Sequence, residues 1–377
     1  MSPDPRPLIL HVIHHLVIGG MENGLVNLIN RMPASKYRHA VACIEDYSEF
    51  RERISRPDVE VYALHRSRIG IWRLRRELFH LCRRLRPTIV HTRNQSGLDA
   101  LLPARLAGVP HCIHGEHGWD IDNLDGRKLK PILLRKLHSP LIERYITVSK
   151  DLERFLTERV GVADRRISQI YNGVDIERFV PRQPAAAAAG AEPLIWIGTV
   201  GRIQPVKDQA TLLRAFALLL ASRPELRLRL RVAIVGNGPL LDELRRLAAT
   251  LKIEALTWFP GANEQVPQVL QGFDVFVLPS LNEGISNTIL EAMAAGLPVL
   301  ASAVGGNPEL IEANLFGRLF QPGDTAALCG LLGDYALDEP LRRAHGQAAR
   351  RVAVERFSLD AMVKNYEAVY DRTAAAV

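Results

Sequence analysis

The chain has 377 residues, of which 47% are hydrophobic and 24% charged; this exceeds one ordinary core and points to two or three domains. The balance excludes wholesale disorder, a collagen-like repeat and a small disulfide scaffold. The net charge of +7 is uneven: residues 1–182 hold 30 Lys and Arg against 21 Asp and Glu, and the remainder holds 18 against 20. A basic N-terminal half implies an anionic partner, whether phosphate, nucleic acid or a membrane face.

Short apolar runs alternate with helical periodicity from the start. Strands are expected at 8–13, 40–44, 59–64, 88–91, 111–114 and 145–148, with helices near 21–31, 71–86, 98–107 and 150–159 between several of them. The second half repeats the rhythm, with strands at 194–200, 231–235, 256–259, 275–278 and 299–301 and helices near 209–221, 239–251, 266–271, 288–295 and 308–312. This is the β-α-β order of parallel sheets covered on both faces. The expected fold is α/β, with two doubly wound Rossmann-like domains at 1–182 and 183–357, joined through an alanine-rich stretch around residues 184–190. A helix in 358–377 follows them. Such domains bind ligand beyond the carboxyl ends of their strands, so a cleft between two of them is the default active site.

Two helix patterns carry the N-terminal charge. Residues 66–86 hold eight arginines around Ile71, Leu74, Leu78, Leu81 and Leu85, and residues 126–144 hold Arg127, Lys128, Lys130, Arg135, Lys136 and Arg144 beside Leu133, Leu134 and Leu137. Each reads either as a sheet-packing helix with a solvated outer face or as a membrane or acceptor contact. Cys43, Cys82, Cys112 and Cys329 form no C-x-x-C pair, so neither a zinc site nor a disulfide framework is signalled. No secretory leader and no membrane-spanning run is legible, so the expected place is the cytoplasm, with peripheral attachment to the inner face of the plasma membrane left open.

Four motifs carry chemistry. Gly19-Gly20 joins the first strand to the first helix, where the backbone can approach an anion, although a plain turn explains it too. Gly201-Arg202 and Lys207 follow a strand and could neutralise a diphosphate, against the alternative of two solvated loop cations with Asp208 as a helix cap. Gly236-Asn237-Gly238 lacks the third glycine of a dinucleotide fingerprint, which disfavours a dehydrogenase and leaves a turn beside a nucleotide. Most specific is 278–299, where a strand runs into a loop with Glu283 and Gly284. A helix containing Glu291 follows and stops at Gly296 and Pro298. Both carboxylates can accept hydrogen bonds from sugar hydroxyls; Thr288 and Glu291 also match a capping box.

Together with Tyr171-Asn172-Gly173-Val174-Asp175, these motifs resemble the retaining glycosyltransferases of family four, of GT-B fold, over nearly the whole chain. More narrowly, His114-Gly115-Glu116-His117-Gly118-Trp119-Asp120 is similar to the sugar transferases of exopolysaccharide clusters that accompany PEP-CTERM/exosortase systems. The resemblance implies a nucleotide-sugar donor, UDP- or GDP-linked, and transfer with retention to a saccharide or lipid-linked acceptor in cell-surface glycan synthesis. It implies that Arg202 and Lys207 meet the donor diphosphate and that Glu291 meets the ribose. Glu283 would contact the transferred sugar, with Gly284, Ile285, Ser286 and Asn287 nearby. Gly19 and Gly20 would approach from the other domain, and Gly201, Gly236 and Gly238 would line the donor. His117 would reach the sugar, with His114 as its alternative and Arg93 and Trp119 on the acceptor side. The last helix would cross back to the first domain. No cofactor or metal is called for, although Asp120-Ile121-Asp122 spells a D-x-D of the kind that holds a metal elsewhere. Rival readings are a nucleotide-sugar epimerase or hydrolase, a non-catalytic nucleotide-sugar sensor, and a basic nucleic-acid-binding protein; the last lacks any recognition motif.

Overall fold

The computed structural model describes residues 4–119, 127–183, 194–312 and 314–375. The chain forms two compact units, one of Met1–Gly173 with Leu359–Val377, the other of Val174–Ser358.

The first unit is built on seven parallel strands, β1 (Leu8–Ile13), β2 (Arg38–Cys43), β3 (Glu60–Ala63), β4 (Ile89–Arg93), β5 (His111–Glu116), β6 (Arg144–Thr147) and β7 (Ile167–Gln169), in the order β3-β2-β1-β4-β5-β6-β7. Its helices are α1 (Gly20–Arg31), α2 (Arg66–Leu85), the short α3 (Asn94–Gly97), α4 (Leu101–Leu106), α5 (Leu129–His138) and α6 (Lys150–Arg154). Strand β1 shows why these segments read as apolar runs: both faces are covered. Leu8, Leu10 and Val12 pack with α2, α4 and α5, whereas Ile9 and Ile13 pack on the opposite face, Ile9 with Leu28 of α1. His11 is the one polar residue in that strand, and it is buried.

The second unit repeats the plan with six parallel strands. These are β8 (Ile195–Val200), β9 (Leu230–Val235), β10 (Thr257–Gly261), β11 (Val275–Leu278), β12 (Val299–Ser302) and β13 (Gly317–Phe320), ordered β10-β9-β8-β11-β12-β13. Its helices are α7 (Gln209–Ser222), α8 (Leu241–Thr250), α9 (Val266–Gln271), α10 (Asn287–Ala294), α11 (Asn307–Leu310), α12 (Thr325–Leu337) and α13 (Glu339–Arg356). In each sheet the strand order reverses once, between β1 and β4 and between β8 and β11. Those reversals are where doubly wound sheets bind ligands.

The last helix, α14 (Leu359–Ala374), belongs to the first unit. Tyr366, Val369 and Tyr370 pack on Ile9, Ile89 and Ile113 of the sheet. Lys36 Nζ donates to Glu367 and Asp371, at 2.6 Å each, and the Tyr37 hydroxyl donates to Asp371.

Several elements differ from the sequence expectation for identifiable reasons. Helix α2 starts at Arg66 because Gly70, at φ +76°, links a short first turn to the main helix. The helix expected over 150–159 is α-helical only to Arg154 and continues as a wider π turn to Val160. Strands β7 and β13 are three and four residues long, too short to show a period. Helix α12 is apolar nearly all round, so no face stands out. Residues 174–182 sit with the second unit, where the Arg350 guanidinium donates to the carbonyls of Phe179 and Ile176. Arg135 is a correction to the basic-face reading of 126–144: it points inward and is only 3% exposed.

Candidate active site

In the second unit the switch point is assembled from loops. Gly201, Arg202 and Lys207 follow β8, and residues 279–286 follow β11. Lys207 Nζ donates to Glu283 Oε1 at 2.5 Å, and the Ser280 hydroxyl donates to the same oxygen at 2.6 Å. The Leu281 N–H donates to the Val206 carbonyl at 2.8 Å, which stitches the two loops together. Arg202 is exposed, and its guanidinium has no partner among the described residues. Asp208 stands at the start of α7 in the left-handed region, its carboxylate accepting from the Thr211 hydroxyl at 2.6 Å.

Glycines hold this arrangement by close approach. A Cβ on Gly236 would lie 1.9 Å from the Gly201 carbonyl oxygen, and one on Gly238 would lie 2.1 Å from that of Ile203. Both distances are inside van der Waals contact, so the β9 turn can back the Arg202–Lys207 loop only without side chains. Gly305 and Gly306, absent from the sequence reading, do the same for the Glu283 loop. A Cβ on Gly305 would lie 1.7 Å from the Glu283 carbonyl oxygen, and the Gly306 N–H donates to the Gly284 carbonyl at 2.9 Å. The signal that could have found them is the Gly-Gly after a strand, the same pattern as Gly19-Gly20.

Helix α10 begins at Asn287, capped by Ser286, whose Oγ accepts from the Ile289 N–H at 3.4 Å. Ser286 rather than Thr288 is therefore the cap, and Glu291 lies outside a capping box. Ile285 is buried beneath the loop. Burial raises the Glu291 carboxyl to about 7, with the Arg178 guanidinium pulling the other way. An acid poised there gains from any donor that stabilises its ionised form.

The first unit presents a different chemistry at its switch point. Gly19 stands just before α1, with its carbonyl accepting from the Asn23 N–H at 2.9 Å; Gly20 opens the helix. Arg93 ends β4, is 1% exposed, and donates through Nη1 to His11 Nδ1 at 3.1 Å. That bond leaves the His11 proton on Nε2, which meets His39 Nδ1 at 3.0 Å. The His39 proton is thereby placed on Nε2, which is buried without a partner. Burial, with the Arg93 cation adding to it, holds His11 and His91 well below the ordinary imidazole range. His91 Nδ1 meets the Tyr370 hydroxyl of α14 at 2.8 Å.

His114 and His117 are sharply distinguished. His114 is fully buried between Thr92 Oγ1, at 2.8 Å, and Glu116 Oε1, at 3.2 Å. Arg135 completes that network with a bidentate contact, Nε to Oε1 at 2.6 Å and Nη2 to Oε2 at 3.0 Å. Burial alone would push the Glu116 carboxyl up, but Arg135 and His114 hold it well below the usual carboxylate range. His117 is half-buried, its backbone N–H donating to Asn94 Oδ1 at 2.8 Å. Its Nε2 has no partner and would lie 2.6 Å from a Cβ on Gly115. Burial brings its pKa down to about 3, with Arg93 contributing, so the ring is neutral. Trp119 faces inward, its indole N–H donating to Asp151 at 3.2 Å and its ring edge-on to Phe155. Asp120 and Asp122 lie outside the described residues.

The sequence reading missed His11, His39, His91, Asn94, Glu116, Arg135 and Tyr370. The lone His in each of the buried strands β1 and β4 was a visible signal, since a polar residue on a buried strand needs a partner. Asn94 and Tyr370 gave none, because only the fold brings them there.

Two doubly wound units with these loop-borne groups define the GT-B class of architecture. The solved structure of Anabaena Alr3699/HepE in complex with UDP-glucose matches it with a TM-score of 0.79 at 20% identity, over 97% of this chain and 99% of that one. The model described as "Glycosyltransferase Family 4" matches residues 18–178, and that described as "Glycosyl transferases group 1" matches residues 187–352. Putative glycosyltransferase EpsF of Bacillus subtilis is 30% identical over 313 residues, 78% of each chain. The chain belongs to the group 1 glycosyl transferases. The D-inositol 3-phosphate glycosyltransferase of Streptomyces avermitilis is 39% identical over 199 residues, covering 50% of this chain and 43% of that protein. The chain thus matches about half the length of such relatives.

Proposed function

We propose that the protein transfers a sugar from a nucleotide-sugar donor, UDP- or GDP-linked, to a saccharide or lipid-linked acceptor with retention of configuration. The observation that supports this most is the Lys207–Glu283 pair at the second switch point, with Arg202 exposed beside it. A diphosphate arriving there takes Lys207 from Glu283 and gains Arg202. Glu283 is then free to accept from sugar hydroxyls, and Glu291 to accept from the ribose. As the nucleoside diphosphate departs, negative charge grows on its phosphate where these cations are already placed, which is the main source of rate. The acceptor hydroxyl attacks the anomeric carbon on the leaving-group face, and the phosphate takes its proton. In the first unit His117 is the residue we assign to the sugar; its ring is neutral and its Nε2 is unpaired but buried, so the ring has to turn for that contact. No metal is needed in this reading, so turnover is expected to survive chelation.

The setting we propose is exopolysaccharide or other cell-surface glycan synthesis at the inner face of the plasma membrane. The motif from His114 to Asp120 supports the narrower likeness to PEP-CTERM/exosortase-associated transferases. Thermal-shift titration with UDP-, GDP- and ADP-sugars tests the donor, because a ligand binding only the folded state raises its melting temperature. No shift with any of them would sink the reading. Incubation with a radiolabelled donor then separates transfer, which yields an acceptor-linked label, from the epimerase or hydrolase alternative, which yields only a changed nucleotide sugar.

A further inference from the structure

The helix layer formed by α2, α4 and α5 has an outer surface that the site chemistry does not use. Helix α5 is the clearest case. Its inner side buries Ile132 in the sheet core and sends Arg135 to Glu116. Its outer side leaves Leu129, Leu133 and Leu137 exposed at 72, 62 and 73%. A spacing of four residues stacks them into one stripe along the helix. Lys128, Lys130 and Lys136 are exposed beside that stripe, and no acidic residue occurs from Arg127 to His138. Single exposed leucines are ordinary on a soluble surface. Three aligned on a ten-residue helix that itself carries cations and no acidic residue are not. Leu106 of α4 and Trp72 of α2 are also exposed, at 68 and 79%, on helices of the same layer.

The charge pattern decides among occupants. A second copy laid along this stripe would set lysines against lysines. An anionic lipid surface instead offers acyl chains to the leucines and phosphates to the lysines, the pairing that interfacial helices use. We infer that α5 docks the first unit on an anionic bilayer, with Leu129, Leu133 and Leu137 entering the headgroup boundary and Lys128, Lys130 and Lys136 meeting lipid phosphates. This deepens the peripheral-membrane part of the proposed function. It rests on that reading for its purpose only, because docking needs neither donor nor acceptor.

The test is co-sedimentation of the full chain with vesicles of phosphatidylglycerol and phosphatidylcholine, against phosphatidylcholine alone. Two variants are compared with the parent: one with all three leucines replaced by Gln, and one with Arg73, Arg76 and Arg84 of α2 replaced by Gln, which removes as much charge as three lysines without touching α5. Melting temperatures confirm that both remain folded. At least tenfold tighter binding to the anionic vesicles, lost by at least tenfold in the leucine variant and changed less than threefold in the α2 variant, supports docking through α5. Binding unaffected by the leucine changes, or weakened equally by the α2 changes, overturns it, since bulk charge would then suffice. A dimer in sedimentation velocity that the leucine variant abolishes also overturns it, because a second copy would then cover the stripe. Thermal shift with nucleotide sugars on the same samples separates the failures. A donor response without vesicle binding removes the docking and leaves the transferase, and vesicle binding without a donor response does the reverse.

Discussion

The two units share one topology and solve the switch point in opposite ways. In the second, close-packed glycines back a single ion pair, Lys207 with Glu283, beside the exposed Arg202. In the first, side-chain hydrogen bonds bury Arg93 with His11 and His39, His91 with Tyr370, and His114 with Glu116 and Arg135, and His117 Nε2 is buried unpaired. The difference teaches that the strand order specifies only where ligands meet the sheet. What they meet is specified by whether backbone or side chains fill that place.

The comparison is most easily broken at Glu116. Replacing it with Ala leaves Arg135 buried without its carboxylate, which should cost about 3–5 kcal/mol in urea or guanidinium unfolding. The parent's acid limb has the matching sign. The folded carboxyl titrates below its unfolded value of about 4.3, so its contribution is complete above that pH and fades as pH falls below it. Glu116→Ala should flatten that limb; a loss under 1 kcal/mol would mean that the buried network is not tightly coupled. Next, Arg202→Ala and Lys207→Ala should each lower turnover about 10²–10³-fold with the fold intact, and near-normal turnover in both would remove the phosphate clamp from the second unit. Gly236→Ala should destabilise by about 1–3 kcal/mol through overpacking on the Gly201 carbonyl, and weaken donor binding. Gly108→Ala, also at positive φ but facing open space, should leave donor binding unchanged. At Glu291 the expected effect is a slope with pH rather than a fixed loss. Because burial raises its folded carboxyl to about 7, stability falls as pH rises from about 4.3, where the unfolded chain ionises, to the folded value. Glu291→Gln should remove that slope while weakening nucleotide binding, as read by melting temperature across pH 4–8 with and without donor. An unchanged slope would place the titration elsewhere.

Much of this was legible in the sequence. Strand β1 and the 275–278 strand read directly, because buried parallel strands are uninterrupted apolar runs. The donor-side motif read because Gly, Glu and helix stops occur together within one short segment. The network of the first unit did not, since its members come from β1, β2, β4, β5, α5 and α14 and meet only through lateral register: His11 lies opposite His91, and Thr92 opposite His114. Arg135 was misplaced for a related reason. A helix period shows which residues share a face, but a cation on the buried side is invisible until a carboxylate such as Glu116 is known to wait there.

Helix α14 has a consequence for how the protein is made. The first unit is not contiguous: its Ile9, Ile89 and Ile113 face waits for Tyr366, Val369 and Tyr370, and His91 for the Tyr370 hydroxyl. During vectorial synthesis, where domains ordinarily complete in order, the first unit cannot do so, because its last helix is made after every residue of the second unit. The first unit is therefore the last to close, and a chain cut after Ser358 would expose an apolar sheet face whose residues Ile9, Ile89 and Ile113 lie 245 to 349 residues before the break.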